Sequence, residues 1–373
     1  MSDSSGWLYV LRYEQVVYGD PKDPSREIIA GPPPPLVFPD ANVGPRLLAH
    51  VVVSKYLGNL SFYRQQQRFK NEGIDISRAD LVGWVNQITS MLEPFHQTLH
   101  QEAFKSGYLQ VHEKLLRAQN AKESQQGHFW VCLAPAPGLL LVNYDRSPSR
   151  WAHFSDFPGA LPTVGYAVHD AFESVAGITL HGCWAQARRY FYEAREVAPK
   201  RTRHALDQIQ LVYDVEQRLR EQGASVSVRE EVRKEESFRI LVRLIIWLRE
   251  QEPGEPNESW GRAVRYTRAR WRRLLQYTAD GRVEIDNTQV ENAIRPFALG
   301  RKNYRFMGSH ASGQRAAIFY SLLGTCLQQG IDPEDWLTDV LIHFAMPPPY
   351  EVLIADLLPH RWDPQSSREP SIM

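Results

Sequence analysis

Cysteine is scarce in this chain, and that scarcity sets the first limits. Cys132, Cys183 and Cys326 are the only three in 373 residues, and no two of them stand as a C-x-x-C pair. A disulfide framework and a structural zinc site are therefore not expected, and a reducing compartment is the natural setting. Net charge is missing too. The 43 Lys and Arg balance the 43 Asp and Glu, so any contact with nucleic acid has to come from local clustering rather than from an overall field. No apolar run reaches membrane-spanning length and no basic-then-apolar leader opens the sequence, which leads to the expectation of a cytoplasmic protein with no membrane contact. A fixed-period repeat is also absent, which argues against a solenoid. What remains is ordinary for a folded chain: 43% hydrophobic residues, ten Trp and sixteen Tyr. That is enough apolar surface to bury a sizeable core, and too much for a disordered chain.

The hydrophobic pattern changes several times along the sequence. Residues 1–45 have few periodic apolar positions and contain Pro32 to Pro35 in a row, which predicts an irregular or extended lead-in. Over 46–106 the spacing is helical. Leu47, Val51 and Tyr56 follow Pro45, and Ser77 is placed to cap a second helix carrying Leu81, Trp84, Val85 and Ile88. From Gly107 short apolar runs take over. Tyr108 to Leu116, Phe129 to Leu133 and Leu139 to Tyr144 read as buried strands, the last two joined by a turn through Pro135, Pro137 and Gly138. Leu161 to Tyr166 and Ile178 to Cys183 are further strand candidates, the first leading towards a helix with Ala171 and Phe172. Trp184 to Ala194 reads as helix, so that 107–198 forms one mixed segment.

Residues 199–280 return to helical periodicity. One stripe comprises Leu206, Ile209, Val212, Tyr213 and Leu219, another Phe238, Leu241, Leu244, Ile245 and Leu248. A mixed segment over 281–345 and a tail over 346–373 complete the chain. The order predicts an α+β protein: a mixed sheet flanked by helices, with a helical N-terminal region and a helical insertion.

Arginine is clustered near the end of that insertion, in GRAVRYTRARWRRLLQY. Arg262, Arg265, Arg268 and Arg272 recur at three and four residues, which predicts one shared helical face, and Arg270 and Arg273 widen it. Such a face suits a phosphate backbone. It equally suits a solvated surface offset by the acidic stretch from Glu230 to Glu236, and composition alone leans to that second reading. Arg188 and Arg189 stand near Trp184, while Arg295, Arg301 and Lys302 follow Glu291 closely, where positive charge would neutralise a phosphate. His181 and Cys183 are two metal-type residues without companions, and read as an ordinary histidine and a buried thiol.

The segment from Val290 to His310, VENAIRPFALGRKNYRFMGSH, closely resembles a signature of the insertion-sequence-66 family of transposases. Other stretches resemble that family in the same order. They are KYLGNLSFYRQQQRF and EGIDISRADLVGWV within 47–85, HGCWAQARRYFYEA from His181, YSLLGTCLQQGIDPEDWLTDVL from Tyr320 and LLPHRW from Leu357. The resemblance implies a ribonuclease-H-like fold with an Asp-Asp-Glu triad and magnesium or manganese. Two such ions, roughly 4 Å apart, clamp the attacking and leaving oxygens of a phosphodiester, and as hard cations they want converging carboxylates.

At the matching positions this chain departs from the pattern. The family's first aspartate, in Asp-Glu-Thr, falls on His112 of His112-Glu113-Lys114. The second, in Leu-Gln-Thr-Asp-Gly-Tyr, falls on Val164 of LPTVGY, and the glutamate is kept as Glu291. An isopropyl group coordinates nothing, and imidazole favours zinc, copper or iron over magnesium, so no tightly bound ion is expected here. The family's histidine is replaced by Gln186, and its N-terminal paired-cysteine zinc element is not seen. Asp145 and Asp170 read as turn or surface acids rather than replacements, and Asp286 and Asn287 as caps of the helix bearing Glu291.

Three readings follow. The first is a transposase relative with a degenerate active site, the second a non-catalytic DNA-binding or partner-binding regulator on the same fold, and the third an active nuclease with replacement ligands. The apolar stripes carry no stray polar residues, which fits a fold still in use. Val164 weighs against the third. The partners implied are DNA at the element ends, accessory transposition proteins, or further copies of the chain.

Overall fold

Pro45 opens the first helix, α1 (Pro45–Tyr56), in the first turn, where a missing N–H does no harm. The computed structural model describes residues 43–119, 124–146, 157–163, 177–251, 258–295, 309–345 and 353–364. It also describes residues 12, 14, 17–18, 29–30 and 36–38. After α2 (Phe62–Asn71) comes α3 (Arg78–Phe104), started by a reciprocal cap. The Asp80 N–H donates to Ser77 Oγ and the Ser77 N–H to Asp80 Oδ2, both at 3.1 Å. Its buried positions Leu81, Val85, Ile88, Leu92, Phe95 and Leu99 recur at three and four residues, so one stripe faces the core along its length.

The sheet is a meander followed by a parallel pair. Strands β1 (Gln110–Gln119), β2 (Ser124–Ala134) and β3 (Leu139–Asp145) are antiparallel neighbours, with His112, Val131 and Val142 in register across them. Strands β4 (Ala160–Thr163) and β5 (Thr179–Gly182) run parallel to each other. A parallel bridge between Tyr108 and Ala160 sets β4 beside the start of β1. It is supported by bonds from Leu109 N–H to Ala160 O (3.1 Å) and from Ala160 N–H to Gly107 O (2.9 Å). The strands therefore fall in the order β3-β2-β1-β4-β5. The helix expected around Ala171 and Phe172 lies outside the described residues.

Strand β3 is an edge, and its outer backbone groups would be orphaned if they were only covered by apolar side chains. Helix α11 (His310–Gln329) solves this with hydroxyls. The Val142 N–H donates to Ser321 Oγ at 2.8 Å and the Leu140 N–H to Thr325 Oγ1 at 3.1 Å, and both acceptors are fully buried. With α12 (Pro333–Ala345) laid against α1, these elements enclose one core that includes Leu48, Leu92, Trp130, Leu141, Phe319 and Leu337.

A second core belongs to the helical block: α4 (Trp184–Glu193), α5 (Pro199–Glu221), α6 (Val226–Val232), α7 (Phe238–Glu250), α8 (Ser259–Ala269) and α9 (Trp271–Leu275). Trp184, Phe191, Ile209, Leu244 and Trp260 fill it. The α7 stripe is narrower than its sequence predicts. Leu241, Leu244, Ile245 and Leu248 are buried, but Phe238 is 41% exposed. A π-helical turn, Arg233–Ser237, separates α6 from α7, and the extra residue in that turn shifts the phase of the helix. Arg233 is wholly buried there. It holds Glu216 with two bonds of 2.7 Å and gives Nη1 to the carbonyls of Tyr277, Asp280 and Val283. The three cysteines are free and buried. Among the described residues, no helix is long and apolar enough to cross a membrane.

Two stability measurements follow. Arg233→Met strands the Glu216 carboxylate in the core, and chemical denaturation is expected to show a loss of about 3–5 kcal/mol. A loss under about 1 kcal/mol would mean the pair is dispensable. Thr325→Val keeps the shape but removes the acceptor of the Leu140 N–H, for an expected loss of about 1–3 kcal/mol. An unchanged midpoint would show that β3 does not depend on the hydroxyl.

Candidate functional site

Alternation along β1 puts Gln110, His112 and Lys114 on one face and Val111, Glu113 and Leu115 on the other. The second face is occupied structurally: Glu113 reaches His128 Nδ1 at 2.5 Å, so it takes no part in a site with His112. The first face receives α10 (Thr288–Ala293). Gln110 is fully buried, and its Oε1 accepts the Val290 N–H at 3.0 Å while its Nε2 donates to Asp286 O at 3.1 Å. Asn287, equally buried, donates from Nδ2 to Val111 O at 2.8 Å. These amides seat the short helix on the strand. As a result Glu291 Oε1 lies 4.0 Å from His112 Nδ1.

The acids ahead of Glu291 do not cap its helix in the way their order predicts. Asn287 sits at the cap position but makes no side-chain cap bond, because its amide is committed to β1. Asp286 instead closes a tight turn: Oδ1 accepts the Thr288 N–H at 2.9 Å, and Oδ2 accepts the Tyr213 hydroxyl at 2.8 Å. From the other side α4 arrives, anchored by the Trp184 N–H on Ile285 O (3.1 Å) and by the Trp184 indole on Leu274 O (2.9 Å). It carries Arg188 and Arg189, both exposed. Arg189 Nε donates to Glu193 Oε1 at 3.0 Å.

The charges in this cleft act on one another. Burial first, then the Asp286 charge, raises the Glu291 pKa, while Arg189 and Lys114 oppose the rise. Burial, helped by Lys114, lowers that of His112, so the imidazole is neutral near pH 7. Cys183 is pushed up to about 11 by burial, leaving an inert thiol, and His181 is pulled down to about 4 by burial. Among the described residues no group of three or more His, Cys, Asp or Glu is placed to hold a metal ion.

The arginine-rich stretch is not one face. Helix α8 stops at Arg270, whose φ of −103° and ψ of 11° leave the helical region, and α9 begins afresh at Trp271. Arg262, Arg265 and Arg268 therefore share α8, and Arg272 belongs to the next helix. The acidic stretch expected to offset them is engaged elsewhere. Glu236 pairs with Arg218 at 2.6 Å and Glu230 with Lys234. Arg268 and Arg272 are exposed and Arg265 is half-buried. Arg295 is exposed at the end of the Glu291 segment. Val164, Asp170, Arg301 and Lys302 lie outside the described residues.

Sequence reasoning passes over Gln110, Lys114 and Tyr213. The first two are within its reach, since they stand two residues either side of His112 and a strand repeats its facing every second residue. Tyr213 reads only as an apolar stripe position, and its hydroxyl has no visible partner until the fold brings Asp286 to it.

The chain resembles three uncharacterised proteins of Sinorhizobium fredii (strain NBRC 101917 / NGR234). It is 29% identical to y4qI over 86% of its own length, 29% to y4hP over 90% and 29% to y4jD over 88%. The alignments cover 63%, 65% and 68% of those relatives, so the chain spans about two thirds of their length. The family profile described as Transposase IS66 family matches residues 41–315. The chain belongs to the IS66 family of transposases.

Proposed function

We propose that this chain is a DNA-binding protein of transposition whose ribonuclease-H-like core no longer cuts or joins strands. The strand order β3-β2-β1-β4-β5, three antiparallel and then two parallel, supports that core assignment. In such a core a middle-strand residue, one at the end of the neighbouring parallel strand and one on a later helix converge on the scissile phosphate. The observation that carries the reading is the 4.0 Å approach of His112 to Glu291 across β1 and α10. That proximity supports reading His112 and Glu291 as two of the three positions, one of them an imidazole. Val164, next in sequence after β4, matches the family's remaining aspartate in the sequence pattern and carries only an isopropyl group.

One carboxylate, an imidazole and an alkyl group do not make a two-ion centre for magnesium or manganese, because hard cations need several oxygen donors. What the cleft retains is positive charge. Arg188 and Arg189 lie on α4, where Arg189 acts on Glu291, with Arg265 and Arg268 on α8, Arg272 on α9, and Arg295, Arg301 and Lys302 beyond Glu291 in sequence. These suit salt-dependent phosphate contacts at the element ends. The intact apolar cores favour a working DNA-binding role over a decaying relic, because decay places polar residues in such positions. Accessory transposition proteins and further copies of the chain are the other proposed partners, and the cytoplasm is the proposed setting.

The test pairs two assays on DNA carrying the element's terminal repeats. With magnesium or manganese, no nicked or joined product is expected. Cleavage that Glu291→Ala abolishes would overturn the reading. In a salt series, affinity is expected to fall steeply, and combined alanine substitution of Arg188, Arg189, Arg301 and Lys302 should flatten the log–log slope by about 3 to 4, since each neutralised phosphate accounts for about 0.9. A slope untouched by the four changes would remove the DNA interface.

A further inference from the structure

Lys114 is the unexplained cation of the cleft. It follows His112 by two residues on β1, on the same face, and is half-buried. Among the described residues its ammonium makes no hydrogen bond and no ion pair. Its charge acts on both His112 and Glu291, while all three of its donors stay open to a ligand. Arg189, exposed on α4, acts on the same Glu291 as Lys114 and commits only Nε among the described residues, to Glu193. Of the acids nearby, Asp286 accepts from Tyr213 and Thr288, while Glu291 stands 4.0 Å from His112 and feels the charges of both Lys114 and Arg189. The donor set therefore disagrees with a two-metal centre, and it offers fixed cations where one would expect ions. An ammonium is a compact point charge with three donors, suited to a phosphate oxygen, and a guanidinium adds planar, two-pronged donation to the same anion.

We infer that Lys114 is a phosphate-binding residue which, with Arg189, holds a DNA phosphodiester directly against β1, so that the chain grips DNA in this cleft without a divalent ion. This rests on the DNA-binding reading above, and it adds the residue and the metal independence. No bond is made or broken. The backbone phosphate exchanges water and counterions for the two side chains, and the neutral His112 flanks it as a further donor.

The experiment uses the full chain and a short fluorescent duplex of arbitrary sequence, titrated over a salt series in EDTA and again in magnesium. For the unmodified protein, affinity in EDTA is expected to stay within about 2-fold of that in magnesium. Lys114→Gln should weaken binding by about 3- to 10-fold at low salt and lower the log–log salt slope by about 0.9, the share of a single neutralised phosphate. Lys114→Arg should restore most of it. Lys105→Gln, a change at an exposed lysine just after α3 that pairs with Glu102, should leave the curve in place and controls for the removal of bulk charge. Circular dichroism of Lys114→Gln should overlay that of the parent, since the side chain supports no internal bond among the described residues. Binding that collapses in EDTA, or a Lys114→Gln curve that coincides with Lys105→Gln, overturns the inference. If the latter occurs while Arg188, Arg301 and Lys302 substitutions still weaken binding, the lysine assignment falls and the DNA interface stands. If the unmodified protein binds no DNA at low salt, both fall together.

Discussion

Two buried amides hold the candidate site together. Gln110 and Asn287 stand about 180 residues from the groups they bind, and each commits its side chain to the opposing backbone: Gln110 to Val290 and Asp286, Asn287 to Val111. A buried amide that loses its partner costs more than a made bond gains, and Asn287, whose Oδ1 is buried without a partner, depends on its one bond to Val111. That asymmetry makes the pairing selective. Sliding α10 along β1 by one residue would break these bonds at once and turn the other strand face towards it. The 4.0 Å separation of His112 and Glu291 is a consequence of this registration rather than of any attraction between them. Attraction is in fact weak, since burial keeps the imidazole neutral.

The chain leaves the sheet after β5, builds the helical block, and returns only at Val283 to Asn287 to deliver Glu291. Such an excursion needs its own fastening. Arg233 supplies it, gathering the carbonyls of Tyr277, Asp280 and Val283 at the point of return. One residue further on, Glu284 accepts from Arg220 at 2.9 Å and Arg229 at 2.8 Å, and these guanidinium groups hold its pKa below the usual carboxylate range despite burial. The returning segment is thus tied to α5, α6 and the π turn before it meets β1. The helical block is a frame for the glutamate segment.

Local rules carry far in the sequence where one element decides its own structure. Ser77 caps α3 as its place ahead of Leu81 foretells, and Leu139 to Tyr144 forms a strand. They fail where tertiary contacts compete for the same group. Asn287 reads as a helix cap, but Val111 offers its amide a buried partner that water cannot replace. The arginine ladder from Arg262 to Arg272 reads as one face, yet the helix breaks at Arg270, whose guanidinium lies 5.1 Å from the Tyr266 ring centre. Phe238 fits the apolar period of its helix but is the first residue of α7, at the N-terminal end of the buried stripe, and stays 41% exposed. The meeting of His112 with Glu291 is legible only through resemblance to a family. Periodicity cannot pair residues so far apart in the chain.

The chemistry of the cleft bears on why the fold stands as it does. Several carboxylates brought together repel one another, and a centre built that way leans on bound cations to be stable and ordered. In this chain Glu291 meets a neutral imidazole instead of a second acid, and the charges of Lys114 and Arg189 act on it directly. Such a cleft has no excess of negative charge for an ion to cancel, so the surrounding sheet and helices can keep their packing without one. A histidine beside Glu291 and intact apolar cores are then compatible. Lys114 and Arg189 put positive charge beside Glu291 that does not depend on a bound ion.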